Sequence, residues 1–268
     1  MMQGLWQGVT GRAAVAFGIA ILGVQVLAAQ ESTVAQLLAE TAAHPDRLDL
    51  RMELGNAAAS AGDLDLALAS FQRVLDNLEP DSRGAGDLHL RIGETYRRKG
   101  DLPAAVQSLT RASQLLPDKP VVIGTLALVL DSSGRKSDAA RAYQAAIDLD
   151  PENAIAMNNL AFLLAEQGDD LDHAWRLAQR AVDLSEDDAD VIDTAGWVQW
   201  KRKQIDAAVG LFALALSKDP DNADFRKHLM MALSARQDAV AGEARAMIEG
   251  ANGDSQKIKD ALRSLTAR

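Results

Sequence analysis

The sequence has no cysteine, few aromatic residues and fewer basic than acidic residues, and each shortage excludes a class of protein. The absence of Cys from all 268 residues excludes a disulfide framework, a thiolate zinc site, a Cys nucleophile and a lipid-modified N-terminal Cys. Aromatic residues make up only 4% of the chain, and the abundance of Ala and Leu favours helices. The net charge of −10 argues against nucleic acid as a partner, because phosphate binding needs clustered Lys and Arg.

The motifs that mark common active sites are also missing. The chain contains no HExxH, GxSxG, GxxxxGK(S/T) or GxGxxG, the patterns of zinc proteases, serine hydrolases, P-loop proteins and dinucleotide-binding proteins. No His has a second ligand at a metal-like spacing, so we interpret the four histidines as surface residues: His44, His89, His173 and His228. We predict a protein that is not an enzyme and has no metal and no cofactor.

Residues 1–29 have the layout of a secretory signal peptide. A lone positive charge at Arg12 precedes an apolar run from Ala13 to Leu27, and small residues suited to cleavage follow at Ala28 and Ala29. The alternative is an N-terminal anchor in the inner membrane with the body facing the periplasm, but the run is shorter than the ~20 residues of a spanning helix. We expect a periplasmic or secreted protein with no stable membrane span after cleavage.

A repeating pattern organises the remainder of the chain. The residues that recur at an offset of 34 or 35 are Leu160-Ala161, Gly168, Ala174 and Ala181, which return as Ala195-Gly196, Lys203, Ala208 and Ala215. The one extra residue falls in the turn between Gly168 and His173. Each copy is a pair of amphipathic helices followed by a breaker. This period with two helices per copy predicts an all-α fold, an α-solenoid.

The spacing predicts five full copies with additional helices at each end. Residues 30–47 form an N-terminal capping helix, residues 48–222 hold the five repeats, residues 223–250 form a degenerate sixth, and residues 251–268 form a C-terminal capping helix. No single copy can bury its apolar face alone, so we expect stability to spread along the stack through the interfaces between neighbours.

These copies resemble the tetratricopeptide repeat, whose pattern is a large residue, Leu-Gly, Tyr, Ala, Phe, Ala and Pro. The second copy shows the pattern with Ile92-Gly93, Tyr96, Gly100, Ala105, Leu109, Ala112 and Pro117. The departures include Ala in place of Gly at Ala127 and Ala161, and Glu186 in place of Pro. The resemblance implies helix-turn-helix repeats in a right-handed superhelix with capping helices, a fold that binds other proteins.

Small residues mark where the two helices of a copy cross closely. We expect the Gly or Ala of each first helix, such as Gly55 and Gly196, to face the Ala of the second helix, here Ala67 and Ala208. The bulky residues four positions later, such as Phe71 and Phe212, would then bridge to the next copy.

The first helices line the concave surface of such a solenoid, and they hold the candidate binding residues. The groove residues we predict are Arg91, Glu94, Arg97, Arg98, Leu128, Asn158, Asn159, Phe162, Asp193, Trp197, Trp200, Lys201, Lys227 and Met231. The groove would be basic near its N-terminal end and apolar, aromatic and amide-bearing further on. Trp197 and Trp200 share one helix face, and tryptophan with nearby Asn or Arg is a usual interface anchor.

Two alternatives stay open for this surface. Leu128, Phe162 and Met231 also fit inter-helix packing, since apolar columns at helical spacing usually form core. If they face a partner, a peptide or amphipathic helix with acidic ends fits the groove, and carbohydrate is the second ligand class, because aromatic faces stack on sugar rings. The sequence predicts no particular oligomeric state.

The motifs Asn158-Asn159-Leu160-Ala161 and Asp193-Thr194-Ala195-Gly196-Trp197 are similar to the C-terminal repeats of exported bacterial tetratricopeptide proteins. Several of those accompany exopolysaccharide synthesis and export or the sorting of surface proteins. The resemblance implies a non-catalytic interaction scaffold in the bacterial cell envelope, which binds a partner's peptide or helix to assemble an envelope or export complex. The alternative is a carbohydrate-binding accessory protein in exopolysaccharide synthesis or export.

Overall fold

A computed structural model describes residues 32–236, 239–251 and 253–266. The segment 1–29, with its predicted signal peptide or anchor, lies outside these residues. The described residues form helices and turns and contain no strand, which confirms the all-α prediction. No helix in the described part of the chain has the length and apolar character needed to cross a membrane.

The chain divides into two compact units, Met1–Pro117 and Asp118–Arg268. The first holds α1 (32–43), α2 (Leu48–Ala61), α3 (Leu64–Leu75), α4 (Arg83–Lys99) and α5 (Leu102–Leu115). The helices of the second are α6 (Pro120–Ser132), α7 (Lys136–Leu149), α8 (Ala154–Gln167), α9 (Leu171–Leu184), α10 (Ala189–Lys201), α11 (Ile205–Lys218), α12 (Ala223–Arg236), α13 (Ala239–Gly250) and α14 (Ser255–Thr266).

Within each unit, successive helices pack as hairpins, and neighbouring hairpins pack on one another. In the first unit α2 pairs with α3, α3 contacts α4, and α4 pairs with α5. In the second unit the hairpins are α6–α7, α8–α9 and α10–α11, joined by contacts of α7 with α8, α9 with α10 and α11 with α12. The first helices of neighbouring hairpins also touch, since α10 contacts both α8 and α12.

The turn after each first helix has one shape in all five hairpins. The helix ends in a left-handed residue whose N–H bonds to the carbonyl three residues back, and the following N–H reaches five residues back, a Schellman motif. Glycine occupies the left-handed position in four hairpins, at Gly62, Gly100, Gly134 and Gly168, whereas Lys203, with φ 64°, occupies it in the fifth. The extra residue of the α8–α9 turn lies where the sequence placed it, and Asp170 beside it has φ 34°.

The close crossing between the two helices of a hairpin differs from the predicted one at Gly55 and Gly196. A Cβ added to Gly55 would lie 2.5 Å from Cε1 of Phe71, and one added to Gly196 would lie 2.7 Å from Cδ1 of Phe212. The nearest side chain is therefore the bulky residue of the second helix, and the prediction that glycine faces Ala67 or Ala208 was wrong. Those two alanines are fully buried, but the ring, four residues later on the same helix face, fills the space above the glycine.

The C-terminal helices take part in a large core cluster of the second unit. Ile258, Ala261 and Leu262 of α14 are buried in the same cluster as Phe212 of α11 and Leu229 of α12. Helix α14 contacts α11 and α13. At the other end of the chain, Leu38 of α1 leaves 48% of its surface exposed, so the expected apolar face of that helix is only partly covered.

Gly196 and Gly210 form a matched pair for testing the crossing. We expect Gly196→Ala to lower the unfolding free energy by about 1–3 kcal/mol, because the new methyl group meets the Phe212 ring. Gly210→Ala should raise it by up to about 1 kcal/mol, since a Cβ there meets no atom within 4 Å. Urea melts of the purified chain, followed by circular dichroism, measure both. An equal gain in unfolding free energy from the two substitutions would contradict the assigned crossing. The larger side chain of Gly196→Leu should unfold the C-terminal repeats.

Lys203 provides a test of the shared turn. We expect Lys203→Gly to stabilise the chain by about 0.5–1 kcal/mol, because a residue with a Cβ is strained in the left-handed region. Lys203→Ala is the control, since it removes the long side chain and keeps the Cβ, and it should give no gain. A gain from the Ala variant as large as that from the Gly variant would show that the side chain, and not the backbone, is the source of the strain.

Candidate functional site

In the first unit, three of the predicted groove residues lie together on α4. Arg91, Glu94 and Arg98 line a pocket of about 240 Å³, whose remaining walls are Asn56, Ala59, Ser60, Phe71 and Thr95. The Arg91 Nη1 donates a hydrogen bond to Asn56 Oδ1 at 3.0 Å. Arg97 is exposed on the same helix but does not line this pocket. The pocket is polar and carries two guanidinium groups and one carboxylate.

In the second unit, large apolar side chains face solvent on two neighbouring first helices. Val121 and Leu128 of α6 are 60% and 38% exposed, and Ile155 and Phe162 of α8 are 75% and 43% exposed. The two residues of each helix are seven apart, and the two helices repeat the pair at an offset of 34. Seven residues are about two turns, so each pair lies on one helix face, roughly 10 Å apart. We call these four residues the apolar ladder.

A pocket of about 310 Å³ lies beside the apolar ladder. Its lining residues come from α6, α7, α8 and the turns that join them: Pro120, Val121, Gly124, Thr125, Leu128, Tyr143, Asp150, Asn153, Ile155, Ala156 and Asn159. The Tyr143 hydroxyl is buried and makes no well-aligned hydrogen bond within the described residues. Burial raises the pKa of this phenol above its ordinary value, against a smaller lowering by the Asn159 amide.

Further along the second unit, Trp197 is held by contacts inside the protein. Its Nε1 donates to Glu166 Oε1 at 2.8 Å, and Lys201 Nζ lies 2.9 Å from the same oxygen and 5.0 Å from the centroid of the indole ring. The His228 ring lies 5.0 Å from Trp197, centroid to centroid. The hydrogen bond from Lys201, with a smaller one from Trp197, holds the pKa of Glu166 below its ordinary value.

Asp193 and His228 do not lie where sequence reasoning put them. Asp193, predicted in the groove, is only 9% exposed, and His228, predicted on the surface, places Nδ1 2.8 and 3.0 Å from the two Asp193 carboxylate oxygens. The His228 ring also packs 5.3 Å from Phe212. The two residues are 35 positions apart in the sequence, so one repeat separates them in the chain and the fold brings them together. This pair joins α10 to α12.

The remaining predicted residues are scattered over the same helices. Trp200 is half-buried against the C-terminal core, Asn158 has a buried side-chain oxygen without a hydrogen bond among the described residues, Met231 is half-buried and Lys227 is exposed. The structure thus brings Leu128 and Asn159 to one pocket and leaves Phe162 exposed on α8. Asp193, Trp197 and Lys201 make contacts within the protein. No group of three or more His, Asp or Glu side chains in the described ranges could hold a metal ion.

Sequence reasoning missed two residues of the open surface, Val121 and Ile155, and two that line the pocket beside it, Tyr143 and Asp150. The signal for the first two was present, because each lies seven residues before a residue of the predicted column, on the same helix face. Tyr143 stands at the bulky position of its repeat, where it was expected only to bridge copies. No sequence signal marked Asp150, which is one of many acids in turns.

Family models agree with the repeat pattern. Two models described as tetratricopeptide repeat match residues 27–82 and 88–121, and one described as TPR repeat matches residues 128–168. Two curated proteins are similar over longer stretches. A TPR repeat-containing protein of Pseudomonas aeruginosa is 24% identical over 177 residues, which is 66% of this chain and 30% of that protein. The cellulose synthase operon protein C of Xanthomonas axonopodis pv. citri is 29% identical over 163 residues.

The match to the cellulose synthase operon protein C covers 56% of this chain and 10% of that protein, so the chain spans a third or less of the length of both curated relatives.

Solved structures share the fold. A tetratricopeptide repeat protein from Parabacteroides merdae aligns with a TM-score of 0.64 and 16% identity, over 82% of this chain and 98% of its own.

YrrB, described as a TPR protein with an unusual peptide-binding site, aligns with a TM-score of 0.59 and 20% identity, over 75% of this chain and 97% of its own. The MamA protein gives 0.58 and 23%, over 66% of this chain and 94% of its own. These likenesses show the fold alone. The matches to tetratricopeptide repeat models support a general role in protein–protein interaction. The chain thus carries tetratricopeptide repeats, which family models match over residues 27–82, 88–121 and 128–168 and which the repeated helical hairpins agree with.

Proposed function

We propose that this chain is a non-catalytic scaffold of the bacterial cell envelope. It binds a peptide or helix of a partner protein on the face formed by its first helices, and so helps to assemble an envelope or export complex. The observation that supports this role best is the apolar ladder of the second unit, Val121, Leu128, Ile155 and Phe162.

Four large apolar side chains in one patch need an explanation. Single exposed apolar residues are ordinary, but a grouped set beside a pocket marks an interaction site in a soluble protein. The ladder presents two parallel rows on adjacent helices, and the pocket beside it adds the Asn159 amide and the Thr125 hydroxyl. Apolar anchors with a few polar groups are what a peptide or an amphipathic helix requires of its groove.

The envelope location rests on two observations. Residues 1–29 have the order of charge, apolar run and small residues of a signal peptide, and one curated relative is a cellulose synthase operon protein. The protein is then periplasmic or secreted, with an inner-membrane anchor as the alternative. N-terminal sequencing of the chain purified from the native host decides between them, since a cleaved protein begins near residue 30.

A second candidate, a carbohydrate-binding accessory to polysaccharide export, is favoured by the same relative. Among the aromatic residues first considered for sugar stacking, Trp197 is the weaker choice. Lys201 lies over its ring and His228 packs beside it, so less of its face is left for a sugar. Trp200 and Phe162 are the better stacking platforms in this unit. A protein partner remains the first proposal because the ladder is aliphatic at three of its four positions.

The second unit offers matched variants for a test. Leu128→Ser with Phe162→Ser removes half of the ladder, whereas Leu149→Ser with Leu184→Ser changes two equally exposed leucines, 44% and 41%, at the ends of the second helices α7 and α9. We expect the first pair to weaken the purified partner's binding at least 30-fold, which is about 2 kcal/mol, and the control pair to leave it unchanged.

The measurement begins with quantitative affinity purification of the tagged chain from its native host, and titration calorimetry with the recovered partner follows. Partners that survive the Leu128 and Phe162 substitutions as well as they survive the control pair would contradict the proposal. Retention on a glycan column that falls with Trp200→Ala, while all protein partners are kept, would favour the carbohydrate accessory.

A further inference from the structure

We propose that the pocket beside the apolar ladder selects a partner segment that carries Lys or Arg next to its apolar anchor, and that Asp150 is the residue that binds this cation. The inference rests on the proposed function, because the ladder must first hold the apolar residues of the segment. It adds the chemical class of the partner: an apolar segment with a positive charge close to its anchor.

Asp150 follows the last residue of α7 and lies in the wall of the pocket. Its side chain accepts one hydrogen bond, from the Glu152 N–H at 3.1 Å. Within the described residues its carboxylate makes no ion pair, whereas other acids of the α6–α7 hairpin are paired or bonded: Asp131 with Lys136, Asp138 with Arg135 and Arg141, and Asp148 with Gln144. Asp150 is half-buried, so its charge is partly desolvated before any partner arrives.

The other groups that line the pocket are neutral. Asn153 uses its Oδ1 to accept the Ala156 N–H at 2.9 Å, which leaves its amide hydrogens as donors. Thr125 donates its hydroxyl to the Val121 carbonyl at 2.8 Å, and burial keeps the Tyr143 phenol in its neutral form. The Asp150 carboxylate is therefore the one formal charge among the residues that line this pocket.

A segment that covers the ladder also removes water from Asp150. A carboxylate that loses water without gaining a partner disfavours the complex, and an acidic group on the segment adds repulsion. A Lys or Arg within reach replaces the lost water with a charge-assisted hydrogen bond. The pocket therefore binds segments with a cation more tightly and segments without one more weakly. The pocket of the first unit, with Arg91 and Arg98, carries charge of the opposite sign.

The test uses a phage-displayed library of peptides of about 12 residues, which is roughly 18 Å as a helix, selected on the immobilised full chain. Peptides that bind the original chain but not the Leu128→Ser, Phe162→Ser variant require the apolar ladder for binding. Among these we expect Lys or Arg beside the apolar anchor, and about tenfold weaker binding of the synthetic peptides to Asp150→Asn. Asp150→Lys should instead select peptides with Asp or Glu at that place.

Asp148→Asn and Asp148→Lys are the matched controls, because Asp148 is exposed on α7 and its side chain bonds, among the described residues, only to Gln144. They should leave affinity and selected charge unchanged, with melting curves equal for all variants. Ladder-dependent peptides with no preference for a cation, or equal affinity for Asp150→Asn and the original chain, would overturn this inference and leave the proposed function standing. A library without ladder-dependent binders would overturn the proposed function itself.

Discussion

The close crossing of the two helices in each hairpin is the constraint on which the rest of the structure depends. A glycine such as Gly55 or Gly196 leaves a space that a ring of the second helix fills, Phe71 in one case and Phe212 in the other. The ring and the missing side chain fix the depth at which the helices meet. Because the same fit recurs along the chain, each first helix presents equivalent positions at a constant period. The residues at those positions determine what the chain can bind.

Equivalent positions do not carry equivalent roles. The position that holds the exposed Leu128 on α6 and Phe162 on α8 holds Trp197 on α10, where the indole donates a hydrogen bond to Glu166 of α8. The second unit thus uses one surface in two ways. Aromatic and charged contacts join its C-terminal hairpins. Its first two hairpins leave an apolar face, and beside that face lies a carboxylate that makes no ion pair in the described part of the chain.

The repeats could be predicted from the sequence because small residues and turn glycines stand at fixed spacings, and local sterics dictate them. Even the extra residue of the α8–α9 turn was placed correctly. The residue of the second helix that contacts the glycine could not be predicted. Gly196 and Phe212 are far apart in the chain, and the repeat period is the same for Phe212 and for Ala208. The Asp193–His228 pair could not be predicted for the same reason, and it buries Asp193, which the sequence had placed in the groove. Asp150 could be recognised only once its neighbours were known to be neutral.

The most direct measurement of the central claim is site-specific photo-crosslinking in the living host. A benzoylphenylalanine side chain is introduced at Phe162, on the ladder, or at Leu184, equally exposed on the end of α9, and crosslinked products are compared by mass spectrometry. We expect a discrete partner protein at position 162 and none at position 184. The same products at both positions, or a partner only at 184, would contradict the claim that the chain works through the open face of its first helices.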